Sequence, residues 1–396
     1  MRNFFISLLF LLTPALLSAA QIQRGPYTED PQQTTAVIRW AADTDTPAWI
    51  EYGPEGKCSQ LMAISPKKKE HALTLHGLIP NMKFCYKVYV QNYAGDGTQE
   101  PAEGTFKTLF SPERKIVNFL VVGNTSSPGN DTTLEIKEKM AQTMTGYESD
   151  FLIHTGNIVS TGLIRDANNE FFKPYGPVLK NNPLLVALGQ DEYGPDRATD
   201  KGKGFLTANY RRIHSTPWSR GTPYYYYIDT ANARIFFLDT NNVYGAISAA
   251  KLDEKTPQID WLKTSLASTD ANMWKIVVLH HPVYSSGKTE DRLSRLLAPI
   301  FEANRVHLVL QGHQGAYERT RPIRRDTVAA TGTTGPIYVT IGGSGKLFEA
   351  SSFSNPWSAK YYEVPHFAHI EIVDRKLSLR VYTHDNKKVD ALDIHF

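Results

Sequence analysis

Hydrophobic and polar positions change their pattern twice along this chain, and each pattern predicts a different kind of structure. The segment 4–17 is almost wholly apolar. From about residue 22 to residue 110, short stretches alternate apolar and polar residues, which is typical of antiparallel strands with one buried face. From Ile116 onward, continuous apolar runs alternate with amphipathic stretches, which predicts buried strands and helices in turn.

The first twenty residues have the pattern of a secretory signal peptide. Arg2 supplies a positive charge, and Ser18-Ala19-Ala20 supplies small residues for cleavage before Gln21. The apolar run between them is too short for a comfortable membrane span. An uncleaved anchor is the alternative. We therefore predict export to the periplasm or the extracellular space, with no membrane span after residues 1–20 are removed.

The region 21–110 predicts a small all-β sandwich. Turns rich in Gly, Pro and Asn separate its strand candidates, which are 35–40, 48–52, 71–75 and 83–89. The region also contains both cysteines, Cys58 and Cys85. In an oxidising compartment they can form a disulfide that links two strands, and the alternative is two separate buried thiols.

The region 116–396 predicts an α/β fold. Its strand candidates are 116–122, 150–155, 182–188, 233–239, 274–280, 306–310, 335–343, 367–374 and 377–383. Its helical candidates are 132–144, 256–269 and 292–304. Five of the strands end in polar turns: GNTSS, GNIVSTG, GQDEYG, HHPVYSSG and GHQGAYER. Because open α/β sheets bind ligands at the carboxyl ends of their strands, these turns are predicted to form the functional site.

Composition and charge exclude some partners without identifying one. The chain has 396 residues, is 41% hydrophobic and 21% charged, and carries a net charge of +3. Its 43 Lys and Arg are interspersed with 40 Asp and Glu, so we predict no nucleic-acid partner. A phosphate ester, or an extracytoplasmic protein or carbohydrate, is the expected kind of ligand. The run Tyr224–Tyr227 is predicted to be a further strand. Its rings are expected to pack, and the alternative is that they line a carbohydrate-binding surface.

In order and spacing, the five turns resemble the motifs of purple-acid-phosphatase-like metallophosphoesterases of the calcineurin-like superfamily. Those proteins have, in order, GDxx, GDxxY, GNH[ED], HHPxY and GHxHxYER. The phrases RGPY, EYG and LHGLIPNMKFCYKV resemble the fibronectin-III-like domain that precedes their catalytic domain. The resemblance covers nearly the whole chain after residue 20. It implies a four-layer sandwich of two central β-sheets flanked by helices, preceded by a fibronectin-III-like all-β sandwich domain.

The resemblance also implies which positions would hold metal. In the family, seven side chains hold two metal ions, and this chain keeps two of them, His280 and His313. The other matched positions hold Asn124 and Asn157 in place of Asp, Ser160 in place of Tyr, Gln190 in place of Asn, and Gly315 in place of His. Asp191 stands where the family has a phosphate-contacting His.

Electrostatics predicts that the dinuclear centre is lost. Ions of charge two and three at about 3.5 Å repel by about 30 kcal/mol at an effective dielectric of ~20. The family offsets this repulsion with carboxylates, a phenolate and a bridging hydroxide, whereas amide oxygens complete a coordination shell without neutralising it. We therefore predict no ferric site and no metal cofactor. One divalent metal (Zn, Fe or Mn) at His280 and His313 is the alternative, with Asp191 or Glu192 supplying charge.

Several of these residues also have ordinary structural explanations. Asn at the end of a strand tolerates unusual backbone angles, so Asn124 and Asn157 suit turns that hold no metal. His154, His281 and His307 are close to the motifs in sequence, and they are predicted to pack or to form hydrogen bonds.

Two hypotheses for function follow from the motif positions. The first is an exported purple-acid-phosphatase-like protein that is catalytically impaired or inactive and acts as a binding or structural module. The second is a phosphomonoesterase or phosphodiesterase that uses a residual mononuclear metal site at His280 and His313. A role as a partner-binding protein acting through the region 21–110 is compatible with either.

Overall fold

The structure is a computed structural model that describes residues 20–91, 100–126, 131–193, 214, 220–241, 255–287, 291–331, 334–345 and 355–396. Its strands β1 to β20 are, in chain order, Ile22–Glu29, Ala36–Pro54, Leu61–Leu75, Lys83–Val90, Ala102–Lys107, Ile116–Val122, Phe151–His154, Leu184–Val186, Tyr226–Thr230, Ala233–Phe237, Trp274–Leu279, Leu308–Gln311, Tyr317–Thr320, Ile323–Arg324, Thr327–Val328, Ile337–Ile341, Ser358–Tyr362, His366–Val373, Lys376–Thr383 and Lys388–His395. The helices α1 to α5 are Asp131–Met144, Ile164–Ala167, Gly176–Leu179, Pro257–Ala267 and Asp291–Ala303. A π-helical turn, Asn168–Phe172, follows α2, and a 3₁₀ turn spans Asp191–Tyr193.

Strands β1 to β5 enclose a core of their own, to which Trp40, Ile50, Tyr86 and Phe106 contribute. The candidates 35–40 and 48–52 are not separate strands, because β2 runs continuously through both. The first half of β2 pairs with β1 and β3, and its second half pairs with β4 and β3. Register shifts lie between these halves. A strand that bends at such irregularities can serve both faces of a sandwich without a turn.

Cys58 and Cys85 form a disulfide, with their Cα atoms 5.2 Å apart. Cys85 lies on β4, and Cys58 lies in the turn between β2 and β3. The pairing that the sequence left open is therefore made, and it ties this turn to β4.

The strands form the two large sheets that the resemblance implied, and the first of them includes the N-terminal strands. The first has the order β20-β19-β18-β6-β7-β8-β1-β2-β4-β5, with β3 paired to β2, and the second has the order β17-β13-β16-β12-β11-β10-β9. Strands β6, β7 and β8 run parallel, as do β10, β11, β12 and β16. Every residue of β7 and β11 is buried, which explains their continuous apolar sequences.

Helices cover the outer faces of the two sheets. Phe119 and Ile153 of the first sheet share one buried layer with Ile276 and Leu310 of the second. Helices α1 and α3 pack on the outside of the first sheet, and α4 and α5 pack on the outside of the second. The predicted fold class, a four-layer sandwich preceded by an all-β region, is therefore confirmed.

The all-β region is joined to the first sheet by main-chain pairing. Strand β1 lies parallel to β8 and pairs with it through Glu29 and Leu184. Arg24 on β1 also donates a hydrogen bond to Asn168 Oδ1 in the π-helical turn at 3.0 Å. One sheet therefore runs continuously from the N-terminal strands to strands of the region 116–396.

The tyrosine run contributes to packing. Tyr226 on β9 is buried, and its hydroxyl donates to the carbonyl of Val186 at 3.0 Å. Tyr225 is also buried, with its ring 4.9 Å from that of Trp261. These two rings therefore pack inside the fold and do not line a carbohydrate surface. Within the described ranges, no helix has the length and apolar character needed to cross a membrane.

Candidate functional site

The predicted polar turns meet at one edge of the two sheets. The Asn124 N–H, just past β6, donates to the Gly156 carbonyl just past β7 at 3.0 Å. In the second sheet, the Gly312 N–H past β12 donates to the His280 carbonyl past β11 at 3.0 Å. His280 Nδ1 lies 2.8 Å from the Thr155 carbonyl oxygen and so joins the two sheets.

Three motif residues adopt the left-handed backbone region. The φ angles are 50° at Asn124, 57° at Asn157 and 67° at His313. Asn and His occupy this region more readily than most other residues. Each residue comes immediately after a buried strand and a glycine, so its side chain is held at a sharp turn. The geometry accords with the turn-forming role that Asn offers without a metal.

Three histidines come together at the ends of β11 and β12, and we call them the imidazole side: His280, His281 and His313. Their rings lie 4.9–5.4 Å apart between centroids. Ligand nitrogens of the three lie within 4.8 Å of one another. Among the described residues this is the one group of three His, Cys, Asp or Glu that approaches so closely. The sequence predicted that His281 packs or forms hydrogen bonds; the structure gives it a hydrogen-bond contact with Thr240 and also places it in this cluster.

Three positions on the turns after β6 and β7 form what we call the amide side: Asn124, Asn157 and Ser160. Asn157 Oδ1 accepts the N–H of Asp191 at 3.0 Å. The Ser160 hydroxyl donates to Glu170 at 2.5 Å, and its N–H donates to the same carboxylate at 2.9 Å. Asn124 is fully buried, and within the described residues neither amide atom of its side chain has a hydrogen-bond partner.

The remaining predicted positions lie around these two groups. Gln190 Oε1 is 3.2 Å from His313 Nδ1, which brings Gln190 to the imidazole side. Asp191 is half-buried, and one of its oxygens accepts the Ser126 hydroxyl at 3.3 Å. Gly315 is half-buried in the turn that leads into β13.

Glu192 has a role that the sequence did not reveal. Its buried carboxylate accepts backbone N–H groups from Asn157 at 3.0 Å, Ile158 at 2.6 Å and Gly189 at 2.6 Å. Burial, together with the nearby Asp191, raises the pKa of Glu192 to about 7, and these hydrogen bonds oppose that rise. The side chain therefore fastens the turn after β7 to the turn after β8. The sequence had offered Glu192 as a source of charge for a single metal, whereas the structure shows its carboxylate accepting main-chain N–H groups.

The Tyr-Glu-Arg end of GHQGAYER is held by structural contacts. Glu318 accepts the hydroxyl and the N–H of Ser286, each at 2.6 Å, and so fixes the loop that follows His281. The Tyr317 hydroxyl and the Arg319 guanidinium both donate to Asp390 on β20, at 2.7 and 2.6 Å. These contacts give the triplet a function that needs no metal.

A dinuclear centre does not fit the residues present. The Ser160 hydroxyl is turned to Glu170, the Asn157 oxygen accepts a main-chain N–H, and all three side chains of the amide side are uncharged. Two cations at this edge would therefore lack the anions that offset their repulsion. One divalent ion on the imidazole side does fit, because neutral imidazole nitrogens are ordinary ligands of such ions.

Comparison with known proteins identifies the family. The sequence profile of the calcineurin-like phosphoesterase family matches residues 117–317, just over half of the chain. The chain belongs to this family. The matched segment begins at β6 and ends at Tyr317, so it contains every predicted site position of this calcineurin-like phosphoesterase.

Individual relatives are purple acid phosphatases. Purple acid phosphatase 4 of Arabidopsis thaliana is 23% identical over 288 residues, covering 67% of this chain and 80% of the relative. Purple acid phosphatase 18 of the same plant is 29% identical over 324 residues, covering 78% and 68%. The structure of purple acid phosphatase PPD1 from yellow lupin (Lupinus luteus) seeds matches with a TM-score of 0.76 at 19% identity, over 93% of this chain and 74% of PPD1. The resemblance to purple-acid-phosphatase-like metallophosphoesterases is confirmed.

Proposed function

We propose that this chain is an exported purple-acid-phosphatase-like protein that has lost the dinuclear hydrolytic centre and acts as a binding or structural module. The observation that carries the proposal is the state of the amide side. Two of its three side chains make hydrogen bonds within the protein, and none carries a charge. A hydrolase that uses two metal ions needs anionic ligands at these positions to hold both ions.

The contacts of Glu170 support loss of the ferric site. In the family a tyrosine ligand occupies position 160, whereas here Ser160 donates two hydrogen bonds to the buried Glu170. Burial raises the pKa of Glu170, while Ser160 and the neighbouring Lys137 lower it. This arrangement supports the proposal, because the side chain at position 160 is committed to hydrogen bonding within the protein.

Asp191 adds a second argument against phosphoester hydrolysis. It stands at the position where the family has a phosphate-contacting His, and it is half-buried beside Gln190. A carboxylate at that position repels a phosphoryl group, since both are anionic at neutral pH.

Export and a binding role have support outside the site. The disulfide between Cys58 and Cys85 suits an oxidising compartment, as a signal peptide at 1–20 would require. On β3, Leu61, Met62 and Ile64 are 48%, 63% and 72% exposed. Met62 and Ile64 lie on the same face of the strand. Neighbouring exposed apolar side chains are typical of surfaces that bind other molecules, and here the occupant we propose is an extracytoplasmic protein.

The second candidate is a phosphomonoesterase or phosphodiesterase with one metal ion at His280 and His313. The observation in its favour is the position of Gln190, whose oxygen lies 3.2 Å from His313 Nδ1, together with the short distance between the two histidine rings. It lacks the second cation that the family uses to bind and activate the reacting groups.

Metal content and turnover, measured on one preparation, separate the two candidates. The tag-free chain is analysed for Zn, Fe and Mn, and is assayed with p-nitrophenyl phosphate and bis(p-nitrophenyl) phosphate in the presence of each metal. We expect at most one metal ion per chain. We also expect any residual hydrolysis to be the same in the wild type and in His280→Ala. His76→Ala, on an exposed turn, is the matched control. Two metals per chain, or turnover lost only in His280→Ala, would contradict the proposed function.

A further inference from the structure

The imidazole side has the composition of a metal site that differs from the family's set of ligands. We propose that His280, His281 and His313 together bind a single zinc-type divalent ion, with His281 as a ligand. The two-metal set implied by the motifs uses only the first histidine of HHP. Here ligand nitrogens of all three residues lie within 4.8 Å of one another.

Hydrogen bonding at Nδ1 sets the tautomers of two of these histidines. His280 Nδ1 faces the Thr155 carbonyl oxygen at 2.8 Å, and His313 Nδ1 faces Gln190 Oε1 at 3.2 Å. Carbonyl and amide oxygens only accept, so each Nδ1 carries the proton. The lone pair is then on Nε2. A metal-bound imidazole is commonly oriented in this way by an oxygen partner on its other nitrogen.

His281 is oriented by the strand next to β11. Its Nδ1 lies 2.8 Å from the Thr240 hydroxyl, which also accepts the His281 N–H at 3.1 Å. Thr240 is fully buried just past β10, so this double contact fixes both the backbone and the ring. We assign Thr240 as a positioning residue for His281.

Small residues leave room for the first ring of the cluster. A Cβ atom at Gly156 would lie 2.6 Å from His280 Nδ1, and one at Gly312 would lie 3.1 Å from it. Both glycines belong to the turns that end their strands. A side chain at either position would therefore collide with the His280 ring in its present place.

The donor set selects the class of ion. Three neutral imidazoles with an open fourth position are an established arrangement for zinc, at Zn–N distances of about 2.0–2.1 Å. Such bonds place the nitrogens about 3.4 Å apart in a tetrahedral site, so the three rings would close by roughly 1.5 Å at most. Mg²⁺ and Ca²⁺ are excluded, because they prefer oxygen ligands.

Site assembly does not depend on whether the chain hydrolyses phosphate esters. The proposal concerns binding of one ion, and it makes no use of the amide side. If the chain has no phosphatase activity, it can still bind zinc through His281. If the chain does hydrolyse phosphate esters, its metal can still be held by His280 and His313 without His281.

The decisive measurement counts imidazole ligands on the wild-type chain. Tag-free protein is stripped with a chelator, dialysed and titrated with Zn²⁺ alone by calorimetry, and the one-equivalent complex is examined by zinc X-ray absorption. We expect one equivalent to bind and the spectrum to require three imidazoles. Failure to bind Zn²⁺, or a spectrum with two imidazoles, overturns the proposal without any variant.

A pair of variants tests His281 itself. We expect His281→Ala to weaken Zn²⁺ binding at least 30-fold, and His76→Ala to leave it unchanged, with thermal melts confirming that both are folded. Thr240→Val, which removes the oxygen partner of His281, should weaken binding about 10-fold, as loss of such partners typically does. If folded His281→Ala binds Zn²⁺ as tightly as the wild type, His281 is not a ligand.

Discussion

The two sides of the site come from different sheets and differ in what they keep. The amide side, on the first sheet, has neutral side chains where the family has charged ones. The imidazole side, on the second sheet, has three histidines with oxygen partners at Nδ1. Charge explains the contrast. A buried carboxylate or phenolate without its metal is an uncompensated charge, whereas a neutral imidazole is tolerated with or without one. Loss of one metal site therefore need not disturb the other.

Restoring the amide side should have the largest effect. We expect Asn124→Asp, Asn157→Asp, Ser160→Tyr and Gly315→His together, combined with Glu170→Ala to release position 160, to add a second metal equivalent. The binding gain should be at least about 1000-fold, because two carboxylates and a phenolate return to a site that now has no charged ligand. Metal analysis of the purified variant measures it.

The same variant with Glu170 intact is the control for this prediction. We expect it to bind the second ion less tightly, since Glu170 makes two hydrogen bonds to position 160. A folded fivefold variant that gains no metal would mean that the amide side differs from the family in shape as well as in charge.

His154, at the end of β7 in the first sheet, is a structural histidine and contrasts with the three histidines of the imidazole side. Its Nδ1 accepts the Gly156 N–H at 3.0 Å, and its Nε2 lies 2.9 Å from the Thr125 hydroxyl. Burial lowers the pKa of His154 to about 3. The unfolded chain therefore takes up this proton first, and stability is lost as the pH falls from about 6.5 towards 3, by up to about 4 kcal/mol.

Urea unfolding between pH 7 and pH 4 measures that loss. In His154→Gln, which keeps an acceptor and a donor but does not titrate, we expect a shallower decline. The exposed His76→Gln should follow the wild type. An unchanged slope in folded His154→Gln would mean that acid sensitivity arises elsewhere.

Glu318→Gln tests whether the loop after His281 supports the imidazole side. The carboxylate accepts from Ser285 and Ser286, and an amide in its place would turn an N–H₂ toward these donors. We expect a loss of about 3 kcal/mol in the free energy of unfolding and weaker Zn²⁺ binding. Glu371→Gln, exposed on β18, is the control. Unchanged zinc affinity in Glu318→Gln would separate this loop from the imidazole side.

Ser160→Ala should have the smallest effect on stability, and it should not change zinc binding by the imidazole side. Removing its hydrogen bond to Glu170 is expected to cost about 1.5 kcal/mol of stability. Zinc affinity should stay within twofold of the wild type, because the amide side takes no part in binding. A tenfold loss of affinity in calorimetry would show that the two sides are not independent.

The sequence predicted most of what depends on burial and order along the chain. Strand β6 was predicted at 116–122 and found there, and β7 and β11 were shortened by one or two residues. Strands that are buried on both faces have continuous apolar sequences, so their positions can be predicted from the sequence. The five turns and their meeting at one edge also followed from the sequence, since parallel strands bring their carboxyl ends together.

What the sequence could not supply depends on the direction of individual side chains. Glu170 belongs to no motif, so nothing indicated that it would hold Ser160 ten residues earlier. His281 was predicted to pack or to form hydrogen bonds, and nothing in the sequence indicated that the turn after β11 and the contact with Thr240 would also bring it beside His280 and His313. The continuity of β2 was missed because a bulge and a turn have similar compositions.

Because Glu29 pairs with Leu184, β1 covers the edge of β8 that would otherwise be unpaired. A chain beginning at residue 116 would leave β8 as an open edge strand, with main-chain groups available to any other strand and therefore prone to aggregate. The same strand leads directly to the turn that holds Gln190. The region 21–110 looks like a separate accessory domain. We nevertheless expect that the region 116–396 cannot be purified without it in a soluble, unaggregated form.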